Sequence, residues 1–459
     1  MRSSHTPART TARFDDPNLV SHAGLVPLLR LTEQIDLPAL ADQMVRLGGP
    51  AGANPGPKIT TILAGMTTGA DSIDDLDDLR HGAMHTLFTG IRAPSTIGTF
   101  LRWFTPGHNA QLENLAATCL TRLTTQVDLL PNLDQTAYLD LDATTVQVYG
   151  PDKHGARYGH KKIYGLDTLL ATLSVPGHAP VIVATRLRGG NADTRRKVAS
   201  FARQALRVAR ACGATGTVIV RGDSGFYSAK LITALITAGA VFSITARHSK
   251  AIGRAIAAID PDAWTPVELD TPVHDEHTGQ AIHTAQIAET SYTAFTNPTQ
   301  NPGRKVTARL IVRRHRVTLT TDQGELFPTW RYHAIFTNSQ SDPVATETRH
   351  RGRAGAIEQV FADLKGSALA HFPSGRFPAN AAWLTLAGMA HNLQRALGCL
   401  AGWAHARART TTLRRQVIAV PARISHSART ITLHLPTHWP WRQAWQRMFD
   451  RTHAPPATA

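Results

Sequence analysis

Cysteine is scarce in this chain of 459 residues, which contains only three. Cys119, Cys212 and Cys399 lie far apart and show no metal-binding spacing. Long apolar runs are missing too, since none reaches the roughly 18 residues that a helix needs to span a bilayer. Residues 1–13 are rich in Ser, Thr and Arg without an apolar segment, unlike a secretory signal. We therefore expect a cytoplasmic protein in a reducing compartment, with no membrane partner.

Acidic residues are few in the last third of the chain. Residues 301–459 contain 22 Lys and Arg against 7 Asp and Glu, whereas the counts are 10 and 12 in residues 1–130 and 17 and 14 in residues 131–300. Nearly all of the net charge of +16 therefore lies in residues 301–459. A solvated basic face is one interpretation, but the excess favours nucleic acid, with this part supplying most phosphate contacts.

The composition, with 42% hydrophobic and 18% charged residues, is typical of a soluble globular protein with two or three domains. Apolar spacing is helical up to about residue 122 and changes to that of strands at residue 138. Strands at 138–149, 164–175 and 179–187, followed by alternating helices and strands, predict a mixed α/β sheet.

The predicted organisation begins with a flexible tail and a helical domain. In chain order we expect a tail at 1–20, a helical N-terminal domain at 21–130, a first part of the core at 131–246, a β-rich insertion at 247–340, a second part of the core at 341–402 and a basic C-terminal region at 403–459. The N-terminal domain fits either a bundle or a DNA-binding helix-turn-helix, and its net negative charge favours the bundle.

Two carboxylates lie close together on the first predicted strand of the core. Asp140 and Asp142 are two residues apart, so they point to the same face of the sheet. Burying both on one face is unfavourable without a cation, and Mg²⁺ takes oxygen ligands from carboxylates and substrate phosphates. The pattern indicates either a metal site or an edge strand with solvated Asp residues.

Two more segments carry candidate residues. Asp223 follows an apolar strand, in a turn loosened by Gly222 and Gly225, where functional groups of open α/β sheets collect. A turn Asp that binds its own backbone is the alternative. Glu358 and Lys365 share one face of an amphipathic helix, which suits a metal ligand beside a phosphate contact or an ordinary surface Glu.

Taken in order, these segments resemble the DDE transposases of bacterial insertion sequences, in the IS4-like group and most closely the IS1380 family. The resemblance is carried by residues 74–80, 94–104, 139–144, 187–191, 221–226, 332–338, 353–365 and 389–393. It implies an RNase H-like core with an inserted β domain. Glu358 follows Asp223 by 135 positions, an interval that resembles the one containing the inserted β domain in that family.

The resemblance implies an acidic triad, carried here onto Asp142, Asp223 and Glu358. Asp142 is preferred to Asp140 because the family's first acid is followed by one residue and then Thr, as in Asp142-Ala-Thr144. Asp140 remains the alternative. The triad would hold two Mg²⁺ or Mn²⁺ ions, which stabilise the attacking and leaving oxygens during phosphodiester cleavage.

The helix that carries Glu358 departs from the family pattern of Tyr, two residues, Arg, three residues, Glu, six residues, Lys. His350 stands at the Tyr position, and four residues rather than three separate Arg353 from Glu358. On a continuous helix this rotates Arg353 by about 100°. The resemblance nevertheless implies that Arg353 and Lys365 bind DNA.

The function implied by the resemblance is cut-and-paste transposition of an insertion sequence. The partners would be double-stranded DNA, as terminal inverted repeats and target, and a second copy of the chain in a synaptic homodimer. The location would be the nucleoid. Two alternatives do not involve transposition: a basic DNA-binding protein with an unused nuclease core, and a host nuclease of the same fold.

Overall fold

The computed structural model describes residues 7–159, 162–274, 279, 281–317, 320–321, 324–325 and 329–454. In these parts of the chain, no helix is long and apolar enough to cross a membrane. The amino-terminal third is helical, with Pro in the first turn of several helices, where its missing N–H costs nothing. Its helices are α1 (Leu25–Gln34), α2 (Leu37–Met44), α3 (Gly49–Gly52), α4 (Pro55–Thr68), α5 (Met84–Leu87), α6 (Pro94–Arg102) and α7 (Pro106–Gln126).

The remaining helices are spread through the rest of the chain. They are α8 (Val198–Ala211), α9 (Ala229–Thr237), α10 (Lys250–Ala257), α11 (Pro343–Lys365), α12 (Phe377–Ala401), α13 (Trp403–Ala406), α14 (Thr410–Leu413) and α15 (Arg442–His453). The strands are β1 (Leu19–Val20), β2 (Thr136–Gln147), β3 (Arg157–Tyr158), β4 (Tyr164–Ser174), β5 (Val181–Gly189), β6 (Thr217–Gly222), β7 (Val241–Thr245), β8 (Thr265–His274), β9 (Ala281–Ala294), β10 (Val306–Val317), β11 (Thr320–Thr321), β12 (Gly324–Glu325), β13 (Thr329–Thr337), β14 (Ala422–Ser427) and β15 (Thr430–His434).

The centre of the main sheet is mixed, as the sequence predicted. Strands β5, β4 and β2 form an antiparallel meander, and β2, β6 and β7 then run parallel. The spatial order is β5–β4–β2–β6–β7, so the first core strand, β2, lies in the middle. Because β2, β6 and β7 are parallel, their carboxyl ends meet at one edge of the sheet.

The β-rich segment continues this sheet beyond β7. Strand β13 pairs antiparallel with β7, and β10, β9 and β8 follow outward. The join is reinforced by the Thr337 hydroxyl, which donates to the Phe242 carbonyl at 2.6 Å, and by the Asn338 side chain, which accepts from the Phe242 N–H at 2.8 Å. The core and the predicted insertion therefore share one hydrogen-bonded sheet, which protects the edge of β7.

Helix α12 organises the packing of the helices. It is buried on nearly every side, as expected for a helix without a polar face. It packs against α4 and α7 from the amino-terminal third, against β5 of the sheet and against α15. The side chain of Asn392 bonds both backbone groups of Ile182 on β5 at 2.8 Å each. One of the segments that carried the family resemblance, residues 389–393, thus fixes α12 to the sheet.

The two ends of the described chain meet. Strand β1, within the predicted tail, pairs with β14, and β14 pairs with β15 in a small second sheet. Helix α15 packs on α1, and the Gln34 side chain donates to the Thr452 carbonyl at 2.8 Å. Gly24 passes so close to Val417 that a Cβ would lie 2.0 Å from its carbonyl oxygen.

Candidate active site

Asp142 and Asp223 lie next to each other at the point where the parallel pairing of β2 with β6 ends. The register pairs Leu141 of β2 with Gly222, the last residue of β6, and the residue that follows each of them in the chain is one of the two acids. Burial raises the pKa of Asp142, and the neighbouring Asp223 raises it further, while Arg353 lowers it. Two neighbouring carboxylates concentrate negative charge at this partly buried position, so the site favours a cation.

Asp140 shares the face of Asp142 but has a different environment. Its side chain is fully buried and receives two bonds from Arg221, Nε to Oδ1 at 2.6 Å and Nη2 to Oδ2 at 2.7 Å. The Arg221 guanidinium also lies 4.2 Å from the ring centre of Tyr138 and donates to the Arg349 carbonyl on α11. Both oxygens of Asp140 are therefore used in a structural ion pair that links β2, β6 and α11.

Asp223 also has the local role expected of a turn residue. Its Oδ1 accepts a hydrogen bond of 2.8 Å from the Gly225 N–H, and it caps the short helical turn that follows. Phe226 of the same turn is buried against the core. These contacts fix the position of the Asp223 carboxylate beside Asp142.

Helix α11 crosses the face of β2 that carries the acids. Arg353 Nη1 lies 3.2 Å from Asp142 Oδ2, and Lys365 Nζ donates to Thr144 Oγ1 at 2.8 Å. Glu358 is located between these two contacts on α11, and its side chain is exposed. Contacts with β2 therefore lie both before and after Glu358 along α11.

The three predicted acids do not form a closed cluster. Across the described ranges, no three His, Cys, Asp or Glu side chains are gathered so that they could hold a metal ion. Asp142 and Asp223 are neighbours, whereas Glu358 extends into solvent. The pair of oxygen-rich carboxylates fits a hard divalent cation such as Mg²⁺, which needs only one or two protein carboxylates in addition to phosphate and water.

His350, at the position of the family's Tyr, is held between two hydroxyl groups of β7. Its Nδ1 lies 2.9 Å from Ser243 Oγ, and its Nε2 lies 2.9 Å from Thr245 Oγ1. Burial, followed by the positive charge of Arg353, lowers the pKa of His350 to about 3. The imidazole is therefore neutral at physiological pH, and it anchors α11 to the sheet without adding a charge to the site.

Sequence reasoning missed two residues that shape this site. Arg221 precedes the Gly-Asp motif and was not expected to neutralise Asp140. Thr144 was used only to identify Asp142, yet its hydroxyl accepts from Lys365. The alternation on β2 was the available signal, because Asp140, Asp142 and Thr144 all fall on the face that meets α11.

The mixed sheet is compatible with the catalytic fold of DDE transposases, and comparison with known families points to the same class. The family model described as transposase DDE domain, group 1, matches residues 3–455. Because this match covers nearly the whole chain, the protein belongs to that family of DDE transposases. No curated protein matches the chain. Membership implies DNA as the partner, and the family generally uses divalent metal ions.

Proposed function

We propose that this protein is the transposase of a bacterial insertion sequence, that it belongs to the IS1380 family within the IS4-like group, and that it acts by cut-and-paste. It would bind the terminal inverted repeats of its element, cleave at the ends and join them to target DNA. The observation that carries the proposal is the placement of Asp142 beside Asp223, with Arg353 and Lys365 of helix α11 on the same face.

Asp142, Asp223 and Glu358 are the residues that we assign to the metal ions, Mg²⁺ or Mn²⁺. When bound, two such ions supply the electrostatic stabilisation of the attacking and leaving oxygens of the phosphodiester. Asp142, within β2, and Asp223, just after β6, contribute a pair of neighbouring oxygen donors. Asp140 is not assigned, because Arg221 occupies both of its oxygens.

Glu358 completes the site in our proposal only when DNA is bound. The contacts on either side of Glu358 that reach β2 are made by long side chains, Arg353 and Lys365, which can change their partners while the rest of α11 stays anchored through Arg349 and His350. A phosphate entering between α11 and β2 would attract both cations and so allow the Glu358 side chain to turn towards Asp142 and Asp223. A rotamer change of a Glu side chain supplies this movement without refolding the helix.

The architecture supports the remaining parts of the proposal. The strand order β5–β4–β2–β6–β7, an antiparallel meander followed by parallel strands, supports an RNase H-like core, and β8, β9, β10 and β13 would form its insertion. We assign end recognition to the helical residues 21–130 and non-specific phosphate contacts to the basic residues 301–459. We expect a homodimer to assemble on the paired ends, in the cytoplasm at the nucleoid.

The direct test is an excision assay with the DNA that flanks the gene. Purified protein, Mg²⁺ and a plasmid that carries both flanks should release the intervening segment, and the flanks should contain inverted repeats. Cleavage independent of the flanking sequence would instead identify a host nuclease. DNA binding without cleavage in either Mg²⁺ or Mn²⁺ would favour a DNA-binding protein with an unused core.

Replacing Lys365 with alanine should lower the salt dependence of binding to end DNA. The Lys365 side chain is exposed beside the acids, so it should reach a phosphate at the site. The loss of one phosphate contact reduces the slope of log K against log salt by about 0.9. Fluorescence anisotropy between low and moderate salt measures the slope. Arg207→Ala on α8, which removes an exposed positive charge elsewhere, is the control. Equal slopes for wild type, Lys365→Ala and Arg207→Ala would show that Lys365 does not contact a phosphate.

A further inference from the structure

The Asp142 carboxylate, which we assign to a metal ion, is already in contact with a cationic side chain, Arg353. Arg353 approaches Asp142 through one contact of 3.2 Å, and the two side chains are only 14% and 19% exposed. An arginine in a protein cannot lose its charge, so it can leave this carboxylate only by moving away. The positive charge of Arg353 at this oxygen therefore opposes the binding of a second cation to the Asp142 carboxylate.

The two ion pairs on this face differ in strength. Arg221 binds Asp140 with two bonds of 2.6 and 2.7 Å in a fully buried position. Arg353 binds Asp142 with one longer bond, near solvent. Paired, two-bond arginine–carboxylate contacts are the strong ones, and single, partly solvated contacts are weaker. Arg353 is thus the member of the site that can exchange its partner.

The position of Arg353 on α11 would also allow it to bind a DNA phosphate. It lies on the same helix as Lys365, which also contacts β2, so the two cations border the groove in which we place the scissile phosphate. The guanidinium binds phosphate and carboxylate with the same fork of donors. A Mg²⁺ ion at Asp142 would repel Arg353, and a phosphate beside the ion would attract it.

We propose that Arg353 is an exchangeable counter-ion: it neutralises Asp142 in the metal-free protein and transfers to a DNA phosphate when a metal ion binds. This inference rests on the proposed function, because it takes Asp142 as a metal ligand. Metal and DNA then bind cooperatively. A metal ion displaces Arg353 from Asp142 and so frees it for a phosphate, and a phosphate attracts Arg353 away from Asp142 and so frees the carboxylate for a metal ion. Linkage requires that the coupling is reciprocal, with metal raising the affinity for DNA by the same factor as DNA raises the affinity for metal.

The test measures metal binding by the whole protein without DNA. Mn²⁺ titrations followed by the electron paramagnetic resonance signal of free Mn²⁺ compare wild type with Arg353→Gln, Arg349→Gln and Asp142→Asn. Arg349→Gln is the matched control, because it removes an exposed arginine one helical turn earlier on α11. Arg353→Gln should bind Mn²⁺ about tenfold more tightly than wild type, within the usual range of coupling between sites, and Arg349→Gln should resemble wild type.

A second measurement uses Ca²⁺ and end DNA, with binding followed by anisotropy. Ca²⁺ should tighten DNA binding by wild type and by Arg349→Gln, and should have a smaller effect on Arg353→Gln. The counter-ion proposal would be overturned if Arg353→Gln bound Mn²⁺ as tightly as wild type or more weakly. It would also be overturned if Arg349→Gln gained the same Mn²⁺ affinity as Arg353→Gln. Asp142→Asn tests the proposed function separately: if it binds Mn²⁺ as wild type does, Asp142 is not a ligand and both proposals fail.

Discussion

Replacing Asp142 with asparagine should abolish DNA cleavage and leave DNA binding and folding nearly intact. The change removes the charge of a proposed metal ligand without altering the size of the side chain. We expect cleavage to fall by at least about 100-fold, because the loss of even an outer-shell partner of a metal costs 10–100-fold. Gel assays of end cleavage, anisotropy with end DNA and the melting temperature measure the three properties.

The fold should tolerate this substitution because Asp142 is 19% exposed and its Arg353 partner can reach solvent. A variant that cleaves like wild type would show that Asp142 is not a ligand. A variant that loses DNA binding together with cleavage would show that Asp142 shapes the DNA surface instead.

Replacing Asp140 with asparagine should have the opposite effect and destabilise the protein. Arg221 is buried, with its side chain 4% exposed, and would lose the carboxylate that neutralises it. Removing one partner of a buried ion pair costs about 3–5 kcal/mol. Urea denaturation and the yield of soluble protein measure the effect.

The control for this prediction is Asp193→Asn. Asp193 pairs with Arg195 at 2.7 Å, but both side chains are about half exposed, so the change should cost at most about 1 kcal/mol. A folded, stable Asp140→Asn variant that cannot cleave DNA would contradict the structural role of Asp140 and make it the ligand in place of Asp142.

The contrast between Asp140 and Asp142 shows what the sequence could and could not predict. Alternation on one strand placed both acids on the same face, because that property depends only on neighbouring residues. Their environments differ through Arg221, which lies 81 positions later in the chain and reaches Asp140 only because β2 and β6 pair in one register. Strand periodicity contains no information on that register.

The helix of Glu358 shows the same limit. The amphipathic pattern around Glu358 predicts a helix, and α11 over Pro343–Lys365 confirms it. The family pattern predicts that Arg353 contacts DNA, which stays a prediction, but the pattern contains no information on the contact that Arg353 makes with Asp142 in the structure. The reach of a long side chain depends on how the helix crosses the sheet, which is a tertiary property. The joining of the β-rich segment to β7 is likewise set by long-range pairing.

The position of α12 determines when the amino-terminal helices can complete their packing during synthesis. Helices α4 and α7 rest on α12, and α1 rests on α15, both of which leave the ribosome more than 200 residues later. The first helices also pack on one another, but until α12 and α15 are made the apolar faces that these two helices cover remain open. Contacts between distant parts of a chain form slowly and expose surfaces that aggregate. The amino-terminal helices are thus the first to be made and among the last to become fully packed.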